Sequence, residues 1–311
     1  MNYPSFFNSK NSTNLFGLTK DFKFLSNLYF TKKLPKVLMF SGEKGVGKST
    51  LVNHFLFSIF DTNNYNKDKN TLIESSNFLN QFKNGLFENI IYINGSDFKS
   101  GKIDDIRNLK KRIFQSTILS KDRFIILNDV ELFNKNSLNA LLKTIEEPTK
   151  NNYFFLINNK SKPILETIKS RTLEMKIILM DKQRIEIIKN LSNIFDLKLV
   201  LDLQDSKLSP GNFIKFNYLC SEYDISPKND LIENLSLLLN LHKKEKDILF
   251  LNLALFLADY FFNNLHKKNR IDKDKIYEIK NYFFNNLNNY LLYNINQASL
   301  LNALNNKLKY E

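Results

Sequence analysis

Residues 36–60 read KVLMFSGEKGVGKSTLVNHFLFSIF, and this stretch decides how the rest of the chain is understood. Lys36 to Ser41 is a short apolar run stopped by glycine, and from Lys48 the pattern continues at helical length. Strand, tight loop and helix follow in that order. The loop satisfies Gly42-x4-Gly47-Lys48-Ser49, the P-loop pattern. In that pattern the backbone N–H groups of Gly42, Glu43, Lys44, Gly45, Val46 and Gly47 ring a polyphosphate, and Lys48 reaches the β- and γ-phosphates. Ser49, followed by Thr50, supplies a hydroxyl to Mg²⁺. ATP or ADP with Mg²⁺ is therefore the expected ligand. Two plainer accounts stand beside it: a glycine turn that binds nothing, or an inherited loop no longer used.

The composition is that of a soluble globular protein. At 311 residues with 43% hydrophobic side chains, the chain can build two or three cores. No uninterrupted apolar run approaches the roughly 18 residues of a membrane span, and the polar start MNYPSFFNSKNSTN lacks a signal-peptide profile. A cytoplasmic protein with no membrane partner is expected. Cys220 is the only cysteine and there are three histidines, so an internal disulfide is excluded and no cysteine-rich zinc site is expected. Lys and Arg outnumber Asp and Glu by 45 to 32, giving +13. That excess favours a phosphate-rich partner through counterion release, or it reflects AT-rich codons that push the chain toward Lys and Asn. Runs such as DTNNYNKDKN, residues 61–70, are expected to form solvated loops.

The order of elements gives the fold class. After the P-loop helix come NIIYING, RFIIL, YFFLI and LEMKII, four more strands. A helix is expected at 102–119, another at NKNSLNALLKTIEEP, residues 134–148, and a short one at KPILETIKS. Leu138, Leu141, Leu142 and Ile145 fall on one helical face, as do Ile103, Ile106, Leu109, Ile113 and Phe114 earlier. Alternating strands and helices predict an α/β P-loop module with a mostly parallel five-stranded sheet covered on both faces. Past about residue 180 every periodic segment is helical. SPGN at Ser209 to Asn212 is expected as a turn inside that half, and KNDL near Lys228 as a boundary.

A hydrolysing P-loop protein needs an acid at a strand end to hold Mg²⁺ and a second carboxylate to polarise water. Here Phe124 to Leu127 is followed by Asn128, Asp129 and Glu131. In the straightforward register Asn128 takes the metal-acid position and Asp129 the base position. A one-residue bulge would instead bring Asp129 to the metal and leave Val130 at the base. Either register weakens hydrolysis, because Asn128 adds no negative charge.

NLFG at 14–17, the P-loop, DDIRNL at 104–109, NALLKTIEEP at 139–148 and SRT at 170–172 together resemble the clamp-loader branch of the AAA+ ATPases. Within it they look most like the delta-prime type of DNA polymerase III subunit. The resemblance covers most of residues 14–225, with a weak echo in NINQASLLNALNNKL near the end. It implies a AAA+ nucleotide-binding domain at 1–178, a helical lid at 179–226 and a helical oligomerisation (collar) domain at 227–311. It further implies a hetero-pentameric ring with gamma/tau and delta subunits, which loads the sliding clamp onto primed DNA in replication. In this family the Ser-Arg-Cys motif lends an arginine to a neighbour's ATP. That carries over to Arg171, although Thr172 replaces the cysteine. Asn158 and Asn159 fall where the family places a polar residue near the γ-phosphate. The chain departs from the pattern at Asn212, where ATP-sensing members carry a lid arginine, with Lys215 the nearest basic residue. It also lacks the four-cysteine zinc module.

The resemblance thus implies a stator that holds ATP but hydrolyses it poorly. Asp129 would be a degenerate catalytic acid and Arg171 a finger acting in trans. Two rivals stay open: a gamma/tau-type motor ATPase, and a stand-alone P-loop kinase.

Overall fold

The computed structural model describes residues 3–95, 111, 113, 122–149, 151–267, 273–293 and 295–309. The motif DDIRNL and most of the helix expected at 102–119 lie outside them. The five strands expected from the sequence form one sheet: β1 (Val37–Ser41), β4 (Ile90–Asn94), β5 (Arg123–Asn128), β6 (Asn152–Asn158) and β7 (Leu173–Lys176). Their order is β4-β5-β6-β1-β7, and all four pairings are parallel.

Alternation along the strands builds two cores. Leu38, Phe40, Phe124, Ile126, Phe155 and Ile157 face α1 (Thr19–Phe30), α2 (Lys48–Phe60) and α3 (Asn77–Lys83). Val37, Met39, Ile125, Leu127, Phe154 and Leu156 face the other way, toward Leu138, Leu141 and Ile145 of α4 (Lys135–Glu146) and Ile168 of α5 (Glu166–Lys169). The inner strands β1, β5 and β6, buried on both faces, need apolar side chains at nearly every position, hence their unbroken runs, whereas the edge strand β7 is largely exposed. Asn134 fixes the start of α4, its Oδ1 accepting the Ser137 N–H at 2.7 Å.

The polar stretch 61–70 is exposed at 62–63 and 66–69, as expected of a solvated loop, but part of it is paired. β2 (Tyr65–Asn66) and β3 (Thr71–Leu72) pair antiparallel, with Tyr65, Asn70 and Leu72 buried. The hairpin anchors the segment before α1: Leu72 N–H donates to Thr13 O at 2.9 Å and Leu15 N–H to Asn70 O at 3.1 Å. Tyr65 is held from the other side, its hydroxyl 3.1 Å from Nδ1 of buried His54 on α2.

Past residue 180 the described residues form only helices: α6 (Asp181–Ile194), α7 (Pro210–Glu222), α8 (Leu231–Glu245), α9 (Ile248–Lys267), α10 (Lys273–Tyr293) and α11 (Gln297–Lys309). SPGN is not a turn between helices. Pro210 opens α7, where its fixed φ and missing N–H cost nothing. Asp230 of KNDL caps α8, its carboxylate accepting the Glu233 N–H at 3.0 Å.

The chain forms two compact units, one of Tyr3–Phe195 with Leu208–Asn212, the other of Asp196–Lys207 with the chain from Phe213 onward. In the second, α8 packs on α9, α9 on α10, α10 on α11, and α11 back on α8. The window Ile248–Leu265 of α9 is long and apolar enough, by length and composition, to cross a membrane. A search for an uninterrupted apolar run passes over it because Asn252, Asp259, Asn263 and Asn264 break the run. Phe250, Leu253, Leu257 and Phe262 are buried, so much of its apolar surface is taken up by helix packing.

Candidate nucleotide site

The P-loop leaves the C-terminal end of β1, between β6 and β7, and enters α2 at Lys48. Gly45 and Gly47 adopt φ of +91° and +100°, where a side chain is strained. At Gly45 space is also short, since a Cβ there would stand 2.5 Å from Ser209 Oγ and 2.9 Å from Asn212 N. The start of α7 clasps the loop: Ser209 Oγ donates to Lys44 O at 2.6 Å and Gly211 N–H to Gly45 O at 2.8 Å. Arg184 of α6 is buried beside it, bonding Leu208 O at 3.2 Å and Asp181 at 3.2 Å. Val46 is buried in the core under the loop, and Thr50 lies in the first turn of α2. A cavity of about 190 Å³ beside the loop is walled by Gly42, Val46, Ile177, Leu179, Arg184 and Pro210.

Lys48 is 3% exposed, and its ammonium donates to the loop's own carbonyls, Gly42 O at 2.9 Å and Glu43 O at 2.7 Å. Burial lowers its pKa to about 8, against the opposing pull of Glu131, Asp129 and Glu43. Such a desolvated cation is hydrogen-bonded to carbonyl dipoles rather than to a carboxylate. The residues present therefore fit the phosphates of a nucleotide.

The metal side fits less well. Ser49 Oγ donates to Asn128 Oδ1 at 3.3 Å, so Asn128 stands at the strand end in the straightforward register. No bulge intervenes, as Asn94 pairs directly with Asn128. The Asn128 amide donates onward to Asn94 at 3.2 Å and to Asp129 Oδ2 at 3.3 Å. Asp129 sits in the left-handed region with φ 51°, and burial raises its pKa, with Lys44 pulling the other way. A neutral amide accepts from the Ser49 hydroxyl, and the carboxylate is one residue further on. Among the described residues no group of three or more His, Cys, Asp or Glu could hold a metal ion.

The polar pair after β6 divides. Asn158 O accepts the Gly42 N–H at 3.2 Å and its Oδ1 accepts the Lys160 N–H at 2.8 Å. The Asn159 side chain instead donates to Asp129. Glu131 belongs to the same cluster, and its two-residue spacing from Asp129 is the only sequence signal for it. Ser209, Gly211 and Arg184 are contacts no local motif announces. Arg171 lies apart, bonded to Glu146, to Thr167 O at 2.9 Å and to Ser170 Oγ at 3.1 Å.

A parallel sheet with a P-loop at the end of its β1 strand, a near-acidic strand end at Asn128 and Asp129, and a Ser-Arg pair before β7 invite comparison with known proteins. The family model described as "DNA polymerase III, delta subunit" matches residues 17–181, more than half of the chain. The chain belongs to that family. Among its relatives is the DNA polymerase III subunit delta' of Buchnera aphidicola subsp. Schizaphis graminum, 29% identical over 203 residues, covering 61% of this chain and 60% of that protein. The gamma subunit from the same organism is 26% identical over 217 residues, covering 67% and 58%. This delta-family chain thus spans somewhat under two thirds of either relative's length. Among solved structures, a gamma subunit-related protein of Thermotoga maritima matches 91% of the chain and 96% of its own, at 15% identity and a TM-score of 0.44.

Proposed function

We propose that this member of the DNA polymerase III delta-subunit family is a delta-prime-type subunit of a clamp loader, one that holds ATP or ADP with Mg²⁺ and hydrolyses it poorly. Its expected partners are gamma/tau and delta subunits in a hetero-pentamer, the sliding clamp, and primed DNA within that complex, in the cytoplasm. Arg171 would serve a neighbour's nucleotide. The observation that carries the reading is Asn128. A neutral amide, 3.3 Å from the Ser49 hydroxyl, stands where a working motor needs a carboxylate on its Mg²⁺. The lid position held by Asn212, beside Gly45, likewise offers no charge to a phosphate.

A gamma-type motor is the second reading. It is favoured by the gamma relative aligning over the larger share of this chain, 67% against 61%. Steady-state hydrolysis by the purified chain separates the two. The delta-prime reading expects turnover far below about 1 s⁻¹, whereas a rate in the ordinary enzymatic range would establish a motor. Purification of the tagged chain with its partners tests the assembly. Recovery without any other polymerase III subunit would defeat both readings.

A further inference from the structure

One buried side chain ties the loop after β6 to the acids of the site. Glu131 lies in the short helical turn Val130–Leu132 and is 6% exposed. Its Oε1 accepts the Ser161 hydroxyl at 2.8 Å and the Asn159 N–H at 3.1 Å, with the Ser161 N–H at a long 3.5 Å. Its Oε2 is buried and has no partner among the described residues. Burying a carboxylate is costly, and leaving half of its acceptors unused makes it more so. Stability alone is a poor reason to place one here. The loop it holds is the one that must be chosen correctly. The two acceptors of Asn158 are engaged, its carbonyl by the Gly42 N–H and its amide oxygen by the Lys160 N–H. Asn159, pinned at its backbone by Glu131, turns its side-chain amide onto Asp129.

We propose that Glu131 is a positioning residue: through Oε1 it anchors the loop 159–161 so that Asn159 presents its amide beside Asp129 to the terminal phosphate of a bound nucleoside triphosphate. The phosphate half of this proposal rests on the nucleotide reading above.

Two variants separate the anchor from the charge. Glu131→Gln keeps a carbonyl oxygen that can take the Oε1 position and accept the same donors, whereas Glu131→Ala removes the acceptor. Hydrogen–deuterium exchange on the free full-length chain reads the anchor directly. The Asn159 amide is expected to exchange about tenfold faster or more in Glu131→Ala, and near the wild-type rate in Glu131→Gln. Calorimetric binding of ATP and ADP reads the consequence. Glu131→Ala and Asn159→Ala should lose the preference for ATP over ADP with ADP affinity intact, and Glu131→Gln should retain it. Should Glu131→Ala not fold, Glu131→Met, which keeps the side chain's length and removes the acceptor that Asn159 N–H uses, is measured in its place, and faster Asn159 exchange is expected there too. Unchanged Asn159 exchange in the variant that folds, or an ATP preference that survives Glu131→Ala, would overturn the proposal. A wild-type chain that binds neither nucleotide would sink the nucleotide reading and the phosphate half with it. The exchange comparison would still decide whether Glu131 anchors the loop.

Discussion

Lys48 carries its charge where water cannot reach it, and the consequence is measurable. In the free chain burial brings its pKa to about 8. A bound polyphosphate favours the protonated form and raises that pKa, so binding above pH 8 takes up a proton. Affinity for ATP should fall as pH climbs past about 8, approaching tenfold per unit, because a larger share of free chains has lost the proton that the complex needs. Lys48→Arg, whose guanidinium stays charged, should show no such fall. Calorimetry at pH 8.5 in two buffers of different ionisation enthalpy would detect the uptake, and equal apparent enthalpies would refute it. Asn128 poses the complementary test. Asn128→Asp places a carboxylate near the Ser49 hydroxyl but also beside Asp129, whose pKa is already raised by burial. The variant should melt lower than wild type without ligand, from like-charge repulsion, and gain about 1–2 kcal/mol more from Mg-ATP than from ATP with EDTA. An equal gain with and without Mg²⁺ would show that position 128 does not face the metal.

Among the elements, the P-loop and the start of α7 constrain each other through backbone. Gly45→Ala meets two obstacles, its φ of +91° and a Cβ lying 2.5 Å from Ser209 Oγ and 2.9 Å from Asn212 N. A loss of about 1–3 kcal/mol in urea unfolding is expected. Adding Ser209→Ala should recover only part of it, since Asn212 N is backbone and the positive φ remains. Full recovery would mean that the side-chain collision was the whole cost. This clasp was out of reach for a reading of the sequence, because Ser209 and Lys44 are 165 residues apart. The sheet was legible for the opposite reason. KVLMFS, RFIIL and YFFLI are short apolar runs of the kind a parallel strand buried on both faces carries, and their alternate side chains feed the two cores. The hairpin at Tyr65–Leu72 was not legible, because two-residue strands carry no period and a single buried Tyr65 inside DTNNYNKDKN has no local signature. Pro210 did carry a signal, proline at the first helical position, but SPGN reads as a turn on composition. The P-loop residues and the neutral Asn128 could be named from order alone. Assigning distinct contacts to Asn158 and Asn159 required the fold, where Glu131 meets the Asn159 N–H and Lys160 the Asn158 side chain.

At the scale of the whole molecule, the fold and the proposed role come apart at Arg171. Its pair with Glu146 leaves both side chains 37% exposed, and solvent screens such a pair heavily. Arg171→Ala should therefore change unfolding stability by less than about 1 kcal/mol. Its bonding partners are Glu146, Thr167 and Ser170, none of which belongs to the Lys48–Asn128 cluster. Nucleotide binding by the isolated chain should accordingly be the same in wild type and variant. On the proposed role, the loss appears in a neighbouring chain's chemistry. An arginine supplied in trans is typically worth about a thousandfold or more at the site it serves. In a ring with several sites, the reconstituted complex should lose part of its ATP turnover and more of its clamp loading. Arg171→Lys should lose nearly as much, because a point charge does not replace a planar fork that bonds two oxygens at once. Glu146→Ala releases the guanidinium from its pair without removing it, so the complex should retain turnover. Reconstitution with wild-type partners, measuring turnover and loading for these three variants, decides the matter. If Arg171→Ala supports the same turnover and loading in an assembled complex, Arg171 is a surface ion pair and the catalytic contribution in trans is withdrawn. If the isolated chain already binds nucleotide more weakly with Arg171→Ala, the residue serves its own site, and the separation of fold from role fails.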